Sequence, residues 1–119
     1  MFNGKNFKGW KKFNDEEVTS WKVENGIMCN SGKGSDHGND IITTKKFKDF
    51  ELYLEWRIDH KSNSGVFYRV EEGLTERIYE SGPEYQLLDD KGWPAKLHDS
   101  QYSGSFYAVY AAQGAKSNL

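Results

Sequence analysis

One cysteine and two prolines are all that these 119 residues hold of either type, and no apolar run exceeds a few residues. A lone thiol, Cys29, excludes an intrachain disulfide and any cysteine-based metal site. Set in Ile27-Met28-Cys29, it reads as an inert, buried strand position. Without about 18 consecutive apolar residues the chain offers no bilayer-spanning helix, and the short apolar runs give no signal-peptide core either. An excess of charge is missing too: 16 Lys and Arg against 18 Asp and Glu leave a net charge of −2 and a pI near 5.9. Nucleic-acid binding, which shows as a clustered basic face, is therefore not expected. The densest basic cluster, Lys45, Lys46 and Lys48, sits beside acids and reads as a solvated strand entry. Also absent are His-Glu-x-x-His, Gly-x-Ser-x-Gly and a phosphate-binding glycine loop. The segment Ser35-Asp36-His37-Gly38-Asn39-Asp40 gathers oxygen and nitrogen ligands, but its spacing is not that of an EF-hand and such residues are common in solvated turns. No metal and no cofactor are expected.

What is present is aromatic and turn-rich: 15% aromatic residues, 4 tryptophans and 12 glycines, which lean toward strands, turns and sugar contact. The length suits a single domain over residues 1–119. The clearest period-two signal runs from Phe50 to Ile58, with Phe50, Leu52, Leu54, Trp56 and Ile58 on a face to be buried. It is expected to form a hairpin with a second strand, Val66–Val70, across the turn cluster His60-Lys61-Ser62-Asn63-Ser64-Gly65. Trp21–Glu24 and Ile27–Cys29 around Asn25-Gly26 make the strongest short hairpin signal. Ile41–Thr44 adds another strand, and Asp15–Ser20 is the one segment suited to a turn of helix. The fold class is all-β, with turn signals spaced as in a sandwich or jelly roll.

Chemistry concentrates in Tyr79-Glu80-Ser81-Gly82-Pro83-Glu84-Tyr85-Gln86-Leu87-Leu88-Asp89, where a Gly-Pro turn feeds a strand carrying acids and an amide. Alternation puts Glu84, Gln86 and Leu88 on one face and Tyr85, Leu87 and Asp89 on the other. His98 precedes Asp99 and is open to two readings, a proton carrier or a surface-loop histidine.

Five blocks resemble, in order, the 3-keto-disaccharide hydrolase domain family. They are Phe2-Asn3-Gly4-Lys5-Asn6-Phe7-Lys8-Gly9-Trp10, Trp21-Lys22-Val23-Glu24-Asn25-Gly26, Asp49 to Arg57, Asn63 to Arg69, and Tyr79 to Asp89. The resemblance covers residues 2 to about 90. It implies a concanavalin A-like jelly-roll β-sandwich with a sugar-active cleft, of the kind found in exported proteins of glycan-degrading bacteria, and hence a periplasmic or secreted protein. Against the family pattern the chain opens almost at the first motif, and departs from the pattern after about His98. An incomplete carboxyl-terminal sheet is therefore expected, with association through unpaired edges as a homo-oligomer, or a place in a longer protein, as its consequence.

The activity so implied is cleavage of 3-keto-disaccharides or 3-keto-glycosides, by proton abstraction and elimination followed by hydration. On that footing Glu84 is the candidate base or acid, Asp89 and His98 are candidate partners, and Arg69, Asn63 and Gln86 hold substrate. Glu80 and Asp89 flank Glu84 as alternatives for a two-carboxylate glycosidase. A carbohydrate-binding module without catalysis is the rival reading, with tryptophans stacking on sugar faces. There Trp93, beside Pro94, is the exposed stacking candidate, while Trp56 falls in the apolar register of its strand. A purely structural domain is the third reading.

Overall fold

The computed structural model describes residues 1–15, 17–32 and 40–114. These form six short strands: β1 (Trp10–Lys12), β2 (Trp21–Glu24), β3 (Ile27–Asn30), β4 (Ile41–Thr43), β5 (Asn63–Phe67) and β6 (Glu84–Leu88). Two 3-10 turns, Ile78–Glu80 and Asp99–Gln101, are the helical elements among the described residues. The strands pair antiparallel as β1–β4, β2–β3 and β5–β6. The chain divides into two compact units, Met1–Tyr53 with Glu72–Ile78 and Leu54–Glu71 with Tyr79–Leu119.

In the first unit the β2–β3 hairpin runs from Trp21 opposite Asn30 to Glu24 opposite Ile27. Asn25 and Gly26 close it with φ values of +50° and +79°. Both centre positions of a type I′ turn need that left-handed backbone, which is why the Asn-Gly signal was readable. Beside it, β1 pairs with β4, and Phe13 extends the pairing by donating its N–H to the Asp40 carbonyl at 2.9 Å. Phe13 is the buried hydrophobic anchor at this point. Asn14 then turns at φ +57°, a conformation asparagine tolerates, and clasps a remote loop: its Oδ1 accepts the Gly73 N–H and its Nδ2 donates to the Thr75 carbonyl.

In the second unit β6 is bonded on both edges. On one side its register with β5 sets Asn63 opposite Leu88 and Phe67 opposite Glu84. On the other, Gln86 donates its N–H to the Ser105 carbonyl at 3.1 Å and accepts the Gly104 N–H at 2.9 Å, while the Glu84 carbonyl accepts the Tyr107 N–H. The Ser103 hydroxyl completes this edge, accepting from the Leu88 N–H and donating to the Leu88 carbonyl, both at 2.9 Å. A strand with both backbone edges satisfied can be buried, and Gln86, Leu87 and Leu88 are.

Several expectations are corrected. Phe50–Ile58 joins none of the three ladders among the described residues, and Trp56 is 37% exposed rather than core. Alternation is necessary for a half-buried strand, but burial also requires a neighbouring edge and a facing layer. The later strand begins at Asn63, not Val66, and its partner is β6 rather than the 50–58 segment. Among the described residues of Asp15–Ser20 there is no helix. Cys29 is half-buried in β3, with its thiol 3.7 Å from the Ile27 carbonyl. The Ser35–Asp40 ligand cluster falls, apart from Asp40, outside the described residues.

Gly26→Ala should cost about 1 kcal/mol through the left-handed backbone alone. An added Cβ would meet nothing nearer than the Gly4 carbonyl at 3.9 Å. Urea unfolding should show a lower midpoint with an unchanged slope.

Candidate active site

Glycine and proline set the stage at Gly82-Pro83. A Cβ on Gly82 would press on the Tyr68 carbonyl and the Val70 side chain, and Pro83 accepts the Tyr68 N–H at 3.1 Å. The chain thus enters β6 tight against the end of β5. Glu84 is the first strand residue, and its side chain lies across Gly65, where any Cβ would collide with the carboxylate. Gln86, two residues on, shares that face and stands directly opposite Gly65. It is only 2% exposed. Its Nε2 donates to the Gln101 carbonyl at 3.3 Å, while its buried Oε1 has no hydrogen-bond partner among the described residues. A buried, unsatisfied amide oxygen costs about 1–3 kcal/mol. With almost no accessible surface, that oxygen is an interior group rather than one a ligand can reach.

The far end of β6 carries a second constellation. Asp89 is 8% exposed, and its carboxylate takes three donors. Oδ2 accepts the Lys61 N–H at 2.9 Å and faces His60 Nδ1 at 3.1 Å, and Oδ1 accepts the Gly92 N–H at 2.9 Å. The Lys61 and Gly92 amides hold the Asp89 carboxyl below its ordinary range, with His60 adding a smaller pull and burial opposing them. Gly92 is obligatory here, because a Cβ would collide with Asp89 Oδ2 and with the His60 ring. His60 itself is 70% exposed at the side chain. The Asp89 carbonyl accepts the Trp93 N–H at 3.0 Å, so the indole belongs to the same turn, half-buried rather than fully exposed as expected.

These two constellations are apart. Five strand residues at about 3.3 Å each put the Cα atoms of Glu84 and Asp89 about 16 Å from one another. That is wider than a carboxylate pair bracketing one glycosidic bond, about 5–10 Å between carboxyl groups. Arg69, at φ +56° and exposed just beyond β5, lies at the Glu84 end of the hairpin. Asn63, the first residue of β5 and exposed, lies at the Asp89 end. Glu80 closes the 3-10 turn before Gly82-Pro83 and is exposed. His98 stands at the start of the other 3-10 turn, its N–H donating to Gln101 Oε1 at 3.0 Å. A polar hollow in this unit is lined by Asp90, Asp99, Tyr102, Ser103 and Ser105, and none of the expected site residues borders it. His60 and Gly92 escaped the sequence reading, because His60 meets Asp89 only through the β5–β6 register, 29 residues away.

The chain belongs to the 3-keto-alpha-glucoside-1,2-lyase-like domain family, whose profile it matches over residues 1–118. It is 38% identical over 130 aligned residues to a 3-keto-disaccharide hydrolase of Bacteroides thetaiotaomicron, covering 94% of this chain and 45% of that protein. Among solved structures it resembles a candidate glycosyl hydrolase from Parabacteroides distasonis, with a TM-score of 0.81 and 37% identity. That likeness covers 98% of this chain and 56% of the other, so the chain spans about half the length of the relatives it matches. Its all-β, antiparallel architecture is consistent with a jelly-roll β-sandwich. Among the described residues no helix is long and apolar enough to cross a membrane.

Because its native pKa lies below its unfolded value, Asp89 adds stability that is fully present above the ordinary carboxylate value, about 4, and is lost as the pH falls through the lower native value. Asp89→Asn should therefore lower Tm at pH 7, and its deficit against the wild type should shrink as the pH drops below about 4. Thermal melts followed by circular dichroism at pH 7, 5 and 3 read this directly. Parallel curves would show that the charge of Asp89 is not what matters.

Proposed function

We propose that this chain contributes the sugar-holding and reacting face of a domain that cleaves 3-keto-disaccharides or 3-keto-glycosides. The observation that carries the proposal is the Asp89–His60 contact at one end of the β5–β6 hairpin, where a buried carboxylate holds an exposed imidazole near the exposed Asn63 amide. Imidazole and amide together offer sugar hydroxyls both donors and acceptors. The family profile and the named relative support the substrate class.

The chemistry follows from the ketone. A carbonyl at C3 acidifies the hydrogen on C2, so a base can take that proton and its bonding pair becomes the C1=C2 double bond. The C1–O bond breaks, its electrons leave with the aglycone oxygen, and that oxygen takes a proton. Water then adds across the double bond. Arg69, exposed at the Glu84 end of the hairpin, is a candidate for holding a more distant part of the substrate. Glu80 and His98 remain candidates on the two 3-10 turns. A bilayer or nucleic-acid partner has no part in this reading.

Two measurements test it. Incubated with a 3-keto-disaccharide and its unoxidised parent, the chain should cleave only the former, with transient ultraviolet absorption from the conjugated enone. Equal cleavage of both would favour ordinary glycoside hydrolysis, and binding without cleavage a carbohydrate-binding module. Asn63→Ala should weaken binding of the keto-disaccharide about 10-fold, as expected for a hydrogen bond of about 1.4 kcal/mol, with little loss of stability because Asn63 is exposed. Isothermal titration calorimetry and thermal melts measure the two effects separately.

A further inference from the structure

Resting on the sugar-cleaving reading, we infer that His60 is the residue that takes the substrate proton, through Nε2, and that Asp89 acts through it as a positioning residue.

Asp89 is poorly suited to carry the proton itself. Two main-chain amides and the His60 ring occupy its oxygens, and its fixed geometry is enforced by Gly92, which leaves no room for a Cβ. Those donors favour the ionised carboxylate and make it a weaker base. A carboxylate only accepts hydrogen bonds, so the proton of the neutral ring sits on Nδ1 and the lone pair on Nε2. Among the described residues no hydrogen bond engages Nε2, and the side chain is 70% exposed, so that nitrogen is open to an incoming ligand. The other charged groups beside the ring are Asp59, whose Oδ1 accepts the His60 N–H at 2.9 Å, and the adjoining Lys61, whose N–H is the one bound to Asp89.

Glu84 meets the requirement less well. Its carboxylate is folded over Gly65, in the space a side chain there would fill. General bases work best when their pKa lies near the working pH, which suits an imidazole better than an ordinary carboxylate. At the His60 end, the exposed Asn63 amide and the Trp93 indole supply sugar-holding groups of the right kind. The proton of C2 passes to Nε2 as the C1–O bond breaks. The leaving oxygen takes a proton from water, and the imidazolium proton neutralises the hydroxide left behind, which restores the ring.

The test uses the whole chain with a 3-keto-disaccharide. His60→Asn keeps an amide near the Nδ1 position and removes Nε2. It should lower kcat by about 100-fold or more with KM within a few-fold, the range expected for loss of a general base. Free imidazole in the buffer should restore part of the rate, which a structural role would not allow. Asp89→Asn should lower kcat while leaving KM close to that of the wild type. As a check that needs no variant, the ring pKa of His60 from NMR titration of the wild type should coincide with the acid limb of kcat/KM. Wild-type turnover with His60→Asn equally active, a mismatched ring pKa, or Glu84→Gln bearing the whole loss of kcat would each overturn the role of His60 while leaving the sugar reading intact. A wild-type chain that cleaves no keto-sugar would overturn both.

Discussion

The polar chemistry of the second unit hangs on the hydrogen bonds that clamp β6 from both sides. With β5 on one edge and residues 103–107 on the other, its backbone has nothing left to offer water. That is what allows three consecutive residues of a five-residue strand, a glutamine among them, to be buried. Strand alternation then distributes the side chains without further choice: Glu84 and Gln86 to one face, Tyr85 to the other, where it stands 47% exposed and bridges to Phe106. Phe106 is in turn bridged to Tyr110, their ring centroids 6.1 Å apart.

Glycine has a specific part in this, beyond turn formation. At Gly65 the missing side chain is replaced by the carboxylate of Glu84, and at Gly92 by the Asp89–His60 contact. In each case a polar side chain occupies the volume a Cβ would take, so any larger residue at either glycine would displace it.

Much of this was legible in the sequence where the signal is local. The Asn25-Gly26 hairpin, the strand at Ile41 and the strand after Gly82-Pro83 follow from turn chemistry and short apolar runs, and all three are present. The 50–58 segment failed as a strand because its alternation is a property of the segment alone, while pairing is a property of two. Asn63–Gly65 was read as a turn on composition, yet Asn63, Ser64 and Gly65 extend β5, since small polar residues are acceptable wherever the opposite strand supplies the packing. Glu84, Gln86 and Asp89 could be singled out because acids and amides in strands are uncommon. Their division between two sites could not, since it depends on counting strand residues along a register no local pattern reveals.

That division decides the roles. Carboxylates that share one glycosidic bond must lie within about 10 Å, and Glu84 and Asp89 start about 16 Å apart at the backbone. A pair of acids therefore does not describe this hairpin, whereas an acid backing an imidazole does, because Asp89 and His60 are already in contact at 3.1 Å. Elimination at a keto sugar needs only one strong proton acceptor at the acidified carbon, together with groups that hold the hydroxyls. An exposed imidazole ordered by a buried carboxylate suits the proposed elimination better than double displacement at an unactivated acetal.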